Sequence, residues 1–337
     1  MSQCTSAEPK EEMGDPVAVP VKCPFNFALY STFRLKDHEL PRPYLYLKDS
    51  WKCIIRTQSG RGIPTRVVPR SDVNGMHLAV DLFGDYSTFE ENEVKRTITA
   101  VFCSELDLSP FYRIAISDPN LWKVVRQVNG LKPVLSQSPF EALIKAVIRQ
   151  LIRADAARRT VAMLVMRFGE KRTIRGEDYY GFPSPQNLSK ASKSQLMSCR
   201  AGYKWKLIKK ISSDVASGNL DFNELAGSRS EEVGSRLMEY KGIGYWTSGI
   251  FIYDGLRRLN AYPIRDISLR RAVSLLYFRT KPISWRKVES FFDHYKQFIG
   301  IATTYLFAAI WLRQQERMVI SGHHSRRAHS RISCQMD

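Results

Sequence analysis

Asp266 follows Pro263 and opens an apolar helical run through Ile267, Leu269 and Val273. Upstream of it the chain reads Lys241-Gly242-Ile243-Gly244-Tyr245-Trp246-Thr247. The Gly242-Ile243-Gly244 segment predicts a tight turn between two helices, because glycine bends the backbone sharply and leaves its N–H groups open. A helix that starts just past such a turn, near Tyr245, points several unpaired N–H groups outward and makes a phosphate site. The pattern thus sets a carboxylate after a phosphate clamp. Asp266 either does chemistry or caps the helix beginning at Ile267, and one side chain can serve both ends.

Lys241-Gly242-Ile243-Gly244-x-Trp246-Thr247 followed by Pro263-x-x-Asp266 resembles the helix–hairpin–helix DNA glycosylase superfamily, and within it the 3-methyladenine DNA glycosylase II branch. The resemblance extends over roughly residues 138–311 and implies roles for individual residues. Asp266 would lie beside C1′ of a nucleotide, stabilise an oxocarbenium-like sugar and orient or deprotonate the attacking water. Bifunctional relatives carry a lysine nucleophile two residues after the second hairpin glycine. Here that residue is Trp246, which implies a monofunctional enzyme that uses water. Trp246 is then a wall of the base pocket or a core residue. Trp311, in the run Thr304-Tyr305-Leu306-Phe307-Ala308-Ala309-Ile310-Trp311, resembles the pocket tryptophan of this branch and is otherwise a core aromatic. Ile250 stands where the branch places a tyrosine, so the pocket is less aromatic.

In the run from Ala142 to Gly169, Leu151 matches the apolar wedge that fills the gap left by a flipped base, and is otherwise a core leucine. Gln150 beside it would touch the opposite strand. The turn itself departs from the family: Arg149 and Arg153 replace a glycine and a serine. Lys241, Gly242, Gly244 and Thr247 would hold phosphate. The family's hairpin carbonyls also hold a monovalent cation, Na+ or K+, and the matching positions are Met238, Tyr240 and Ile243. No other cofactor is required. Arg149, Arg153, Lys204, Lys206, Arg270 and Arg271 are candidates to track phosphates, although each is more often a solvated charge.

These residues need a scaffold, and 337 residues can bury a large core in two or three modules. The formal charge of +18, from 51 Lys+Arg against 33 Asp+Glu, favours a polyanionic partner, DNA or RNA alike. The six cysteines are scattered without a C-x-x-C pair, which argues against a zinc or iron–sulfur reading. No apolar signal core opens the chain and no run approaches a membrane span, so cytoplasm, beside the nucleoid, or nucleus is expected.

The chain predicts an α+β fold: a small N-terminal mixed sheet/helix domain, then an all-helical helix–hairpin–helix glycosylase core of two subdomains. Residues 1–22 read as a flexible tail and 23–107 as the mixed domain. There Tyr44 to Leu47, Trp51 to Ile55 and Met76 to Phe83 are strand-like, Glu90 to Glu105 is helical, and a basic loop is punctuated by Gly60, Gly62, Pro64 and Pro69. Segments 108–136 and 259–320 would form one helical subdomain with Asp266, residues 137–258 the other with the hairpin, and 321–337 a basic tail. Ser138-Pro139-Phe140-Glu141 predicts a helix start with a capping box. The function expected is a monofunctional glycosylase, acting as a monomer on double-stranded DNA with damaged bases, that excises alkylated purines of the 3-methyladenine type. Excision of hypoxanthine, uracil or 8-oxoguanine, or binding of damaged DNA without turnover, are the alternatives.

Overall fold

A computed structural model of the protein describes residues 15–30, 45–47, 49–73, 75–278 and 283–332. Strands β1 (Val17–Pro20), β2 (Leu45–Leu47), β3 (Ser50–Arg56), β4 (Gly62–Asp72) and β5 (Gly75–Leu82) form an antiparallel sheet in the order β1-β5-β4-β3-β2. Helix α1 (Thr88–Val101) starts at a capping box between Ser87 and Glu90 and buries Val94, Ile98 and Val101. These side chains share a core with Trp51, Val67 and Leu78 of the sheet.

Two expectations for this region are corrected. Val17–Pro20, inside the stretch expected to be a tail, pairs with Val80 to His77 of β5. Of the punctuated loop only Gly60 stays in a turn; Gly62, Pro64 and Pro69 lie in the long strand β4. Proline removes a ladder donor and is confined to places where a neighbouring strand is missing. Pro64 lies just past the last β4–β5 pair, Thr65 with Leu82, and Pro69 lies past the last β4–β3 pair, Val67 with Trp51. Each proline therefore falls where one of its two neighbours has run out.

Most of the rest is helical: α2 (Ser109–Ala115), α3 (Pro119–Gln127), α4 (Pro139–Arg149), α5 (Ala154–Phe168), α6 (Pro185–Lys190), α7 (Lys193–Ser198), α8 (Trp205–Ser217), α9 (Phe222–Gly227), α10 (Ser230–Met238), α11 (Tyr245–Asp254), α12 (Ile267–Tyr277), α13 (Trp285–Asp293) and α14 (Ile299–Ile332). Ser138 caps α4 by accepting the Glu141 N–H, but the Glu141 carboxylate reaches back to the Gln137 N–H rather than closing the box on Ser138. Helix α14 runs to Ile332, so its backbone continues into the stretch expected to be a tail.

One core joins α4 to α11 through Leu143, Val147, Ile208, Leu237 and Phe251. The other runs from the sheet through Phe111 and Leu121 to Leu269, Val288 and Tyr305. The Asp254 carboxylate ties the segment before α4 to α11 by accepting the Ser136 N–H at 2.6 Å and its hydroxyl at 2.8 Å. The helical part is not purely helical. Strands β6 (Lys171–Ile174) and β7 (Glu177–Tyr180) form a hairpin that leans on the N-terminal sheet through Tyr179, Ile54 and Phe83. Among the described residues no helix is long and apolar enough to cross a membrane.

Candidate active site

The turn after α10 is built for an exposed backbone. Gly242 has φ +105°, a conformation other residues rarely adopt, and the Ile243 N–H closes the turn on the Tyr240 carbonyl at 2.9 Å. Gly244 is the N-cap of α11 and offers no capping side chain, so the first N–H groups of the helix stay open. Lys241, Gly242 and Gly244 are all exposed there. Thr247 is not: it is 2% exposed, and its hydroxyl accepts from Gln150 Nε2 at 2.8 Å. It belongs to the support of the hairpin rather than to a phosphate-facing surface. The carbonyls of Met238, Tyr240 and Ile243 lie at the end of α10 and in this turn. Neutral oxygens of this kind suit a hard monovalent cation, and Tyr240 keeps one lone pair beyond its bond to Ile243.

The turn between α4 and α5 stands against the hairpin. Gln150 Nε2 also donates to the Gly242 carbonyl at 2.8 Å, so this partly exposed side chain pins the two turns together. Lys204, expected as a solvated charge, is 5% exposed, and its ammonium donates to the carbonyls of Ile148 at 2.7 Å and Gln150 at 2.6 Å. It satisfies carbonyls that the end of α4 leaves open; burial pushes its pKa down. Between these anchors Leu151 takes φ +54° and is 93% exposed. The core-leucine reading is therefore excluded. A β-region or helical backbone would avoid the strain, which costs on the order of 1–3 kcal/mol.

Asp266 is the N-cap of α12 and 5% exposed. Its Oδ1 accepts the Leu269 N–H at 2.8 Å and its Oδ2 accepts the Trp246 indole N–H at 2.5 Å. One bond to each oxygen fixes the carboxylate and leaves lone pairs for a further donor. Capping and positioning at the hairpin are thus combined in one side chain. The close approach depends on Gly249, where a Cβ would lie 2.9 Å from Pro263 Cβ. Its signal in the sequence was a glycine inside a helix, which costs about 1 kcal/mol relative to alanine.

Trp246 is half-buried, and the Arg149 guanidinium carbon lies 5.7 Å from its ring centroid. Ile250 is a core residue, 2% exposed, and offers no open wall. Tyr262 is buried, edge-on to Tyr253 at 5.1 Å and to Phe307 at 6.2 Å. Burial and then Asp266 push its phenol pKa up, and Arg149 pulls it back down. Trp311, half-buried, stands one turn beyond Phe307 on the same side of α14. Arg270 stacks on Trp285 at 4.6 Å rather than standing free. A cavity of about 690 Å³ is lined by Gln150, Tyr203, Lys206, Leu207, Tyr240 and Lys241; Asp266 is not among its lining residues.

Comparison with known proteins matches residues 144–296 to the HhH-GPD superfamily of base excision DNA repair proteins. A DNA-3-methyladenine glycosylase of Bacillus subtilis is 26% identical over 249 residues, covering 73% of this chain and 82% of that protein. A probable N-glycosylase/DNA lyase of Methanothermobacter thermautotrophicus is 23% identical over 235 residues, covering 64% and 73%. The solved structure of the 3-methyladenine DNA-glycosylase from Archaeoglobus fulgidus superposes with a TM-score of 0.77 at 27% identity, over 86% of this chain and 97% of that one.

Proposed function

We propose that this protein, whose residues 144–296 match the HhH-GPD superfamily of base excision DNA repair proteins, is a monofunctional DNA glycosylase that removes alkylated purines by hydrolysis. The observation that carries the reading is Asp266, buried beside the hairpin with each oxygen already fixed by one donor. A carboxylate held in advance stabilises developing positive charge on a sugar without reorganising during the reaction. Its remaining lone pairs can accept a proton from the attacking water. Lys241 and the open N–H groups after Gly244 supply the phosphate grip, and Leu151 supplies the wedge. A Na+ or K+ on the carbonyls of Met238, Tyr240 and Ile243 would add positive charge beside that phosphate. The protein acts as a monomer on double-stranded DNA in cytoplasm or nucleus. Trp246 supports hydrolysis without a Schiff base, since an indole committed to Asp266 has no amine to offer.

The test is a panel of duplexes, each with one lesion, incubated with the protein and then cleaved with alkali at abasic sites. Excision is expected, and borohydride is expected to trap no covalent adduct; a trapped adduct overturns the monofunctional reading. Asp266→Asn puts a neutral group of the same shape in place of the carboxylate and is expected to lose at least roughly a hundredfold in excision rate while still retaining labelled duplex in a gel shift. Full activity in that variant removes Asp266 from the mechanism.

A further inference from the structure

We propose that Arg149 sets the substrate class, favouring purine lesions that are neutral within DNA over lesions that carry a formal positive charge. The inference rests on the glycosylase reading above and deepens it.

The last residue of α4 brings a guanidinium to 5.7 Å from the ring of Trp246, the aromatic side chain whose indole N–H is held by Asp266. The backbone that carries it cannot drift, because Lys204 binds the carbonyls on either side, Ile148 and Gln150. Tyr262 brings a second polar group to the same place. Its hydroxyl is buried, and both Arg149 and Asp266 act on it. The neighbourhood of Trp246 therefore holds one negative carboxylate, one positive guanidinium and one neutral hydroxyl.

A cationic purine is drawn to a carboxylate and to the face of an electron-rich ring. Here a permanent cation already occupies that ring, so a second positive charge meets repulsion where it would stack. The leaving-group chemistry points the same way. Hydrolysis breaks the bond between C1′ and the purine nitrogen, whose electrons go to the purine. Water oxygen bonds to C1′ and gives its proton to Asp266. A cationic purine leaves as a neutral molecule and gains nothing from a positive neighbour. A neutral purine leaves as an anion, which a guanidinium stabilises by charge and hydrogen bonding until solvent supplies a proton. Arg149 is thus a handicap for the first class and an aid for the second.

The experiment compares single-turnover excision by the full chain and by Arg149→Gln on duplexes containing 7-methylguanine, which is cationic, and 1,N6-ethenoadenine or hypoxanthine, which are neutral. Arg149 is exposed, and an unchanged melting temperature checks that the variant folds. The expected result is a fall of roughly tenfold or more on the neutral lesions, with the rate on 7-methylguanine unchanged or higher. Equal loss on all three, or an unchanged ratio, overturns the assignment of Arg149 while leaving the glycosylase reading intact. A wild-type protein that releases no base from any of the three duplexes, nor from the wider lesion panel, overturns the glycosylase reading and this inference with it.

Discussion

A leucine held at φ +54° with 93% of its surface in water gains nothing from either circumstance in the free protein. Water penalises the apolar side chain and the backbone is strained. Both costs are recovered if the side chain enters a gap in stacked bases. Leu151→Ala is therefore expected to leave the melting temperature almost unchanged, since exposed substitutions stay within about 0.5 kcal/mol. Single-turnover excision is expected to fall by roughly tenfold, the effect of about 1.4 kcal/mol in the barrier. The fall should be larger for a lesion in a stable pair than in a mismatch, because flipping costs least at a weakened pair. Equal losses in both contexts would mean that Leu151 does not act in flipping. Asp266 is the opposite kind of residue, buried and held by one donor on each oxygen, and its N-cap bond to Leu269 means that its removal tests position and charge together.

At the scale of elements, two contacts decide whether these residues meet. The end of α4 is closed by Lys204, a buried ammonium reaching from the 3-10 turn before α8. Lys204→Met leaves the carbonyls of Ile148 and Gln150 without that donor and is expected to cost about 1–3 kcal/mol of stability. If Lys204 acts by holding the wedge, Leu151→Ala in the Lys204→Met background should cost less excision activity than it does alone, because the two changes share one pathway. Additive losses would assign Lys204 a purely structural role. The second contact is α11 against the segment before α12, where Gly249 lets Pro263 approach. Gly249→Ala puts a methyl 2.9 Å from Pro263 Cβ, so that the segment must move. Overpacking of this sort costs about 1–3 kcal/mol, and here it also shifts Asp266 from the Trp246 indole. Denaturant unfolding and excision measured together should both report the loss.

At the scale of the whole molecule, the N-terminal sheet and the second helical core share one continuous interior. Lys132 helps to join the chain there: its ammonium, 1% exposed, donates to the carbonyls of Lys22 at 2.6 Å and Ser104 at 2.7 Å. Burial pulls its pKa down to about 8, whereas an unfolded lysine titrates near 10.4. Between those values the unfolded chain binds more protons than the folded one, so this group adds stability as pH rises from about 8 to about 10.4. Below about 8 the folded protein bears the full cost of a buried charge. The difference in unfolding free energy between wild type and Lys132→Met is thus expected to move in favour of wild type across that window. A difference that does not change with pH would show that Lys132 is not held at a lowered pKa. The surplus of 51 Lys+Arg over 33 Asp+Glu adds a further expectation, that binding to a duplex weakens steeply with salt.

The hairpin, the helix start at Ser138 and the carboxylate at the head of α12 were legible from residue types alone. Turns and caps are local, and glycine, proline, serine and aspartate act there through a backbone preference or a single side-chain bond. The strand β4 was not legible, because Pro64 and Pro69 are tolerated only by virtue of where β3 and β5 end. The same holds at the site. Lys204 read as a surface charge, Gln150 and Thr247 as groups facing DNA, and Ile250 as a pocket wall. Burial and partners are long-range properties, and only packing buried Lys204, Thr247 and Ile250 and tied Gln150 to the hairpin. The sequence by itself determined which chemistry the chain carries. The tertiary structure decided which side chains surround it, because a buried bond from residue 204 to residue 148, or a ring from residue 246 against residue 149, has no signature in local order.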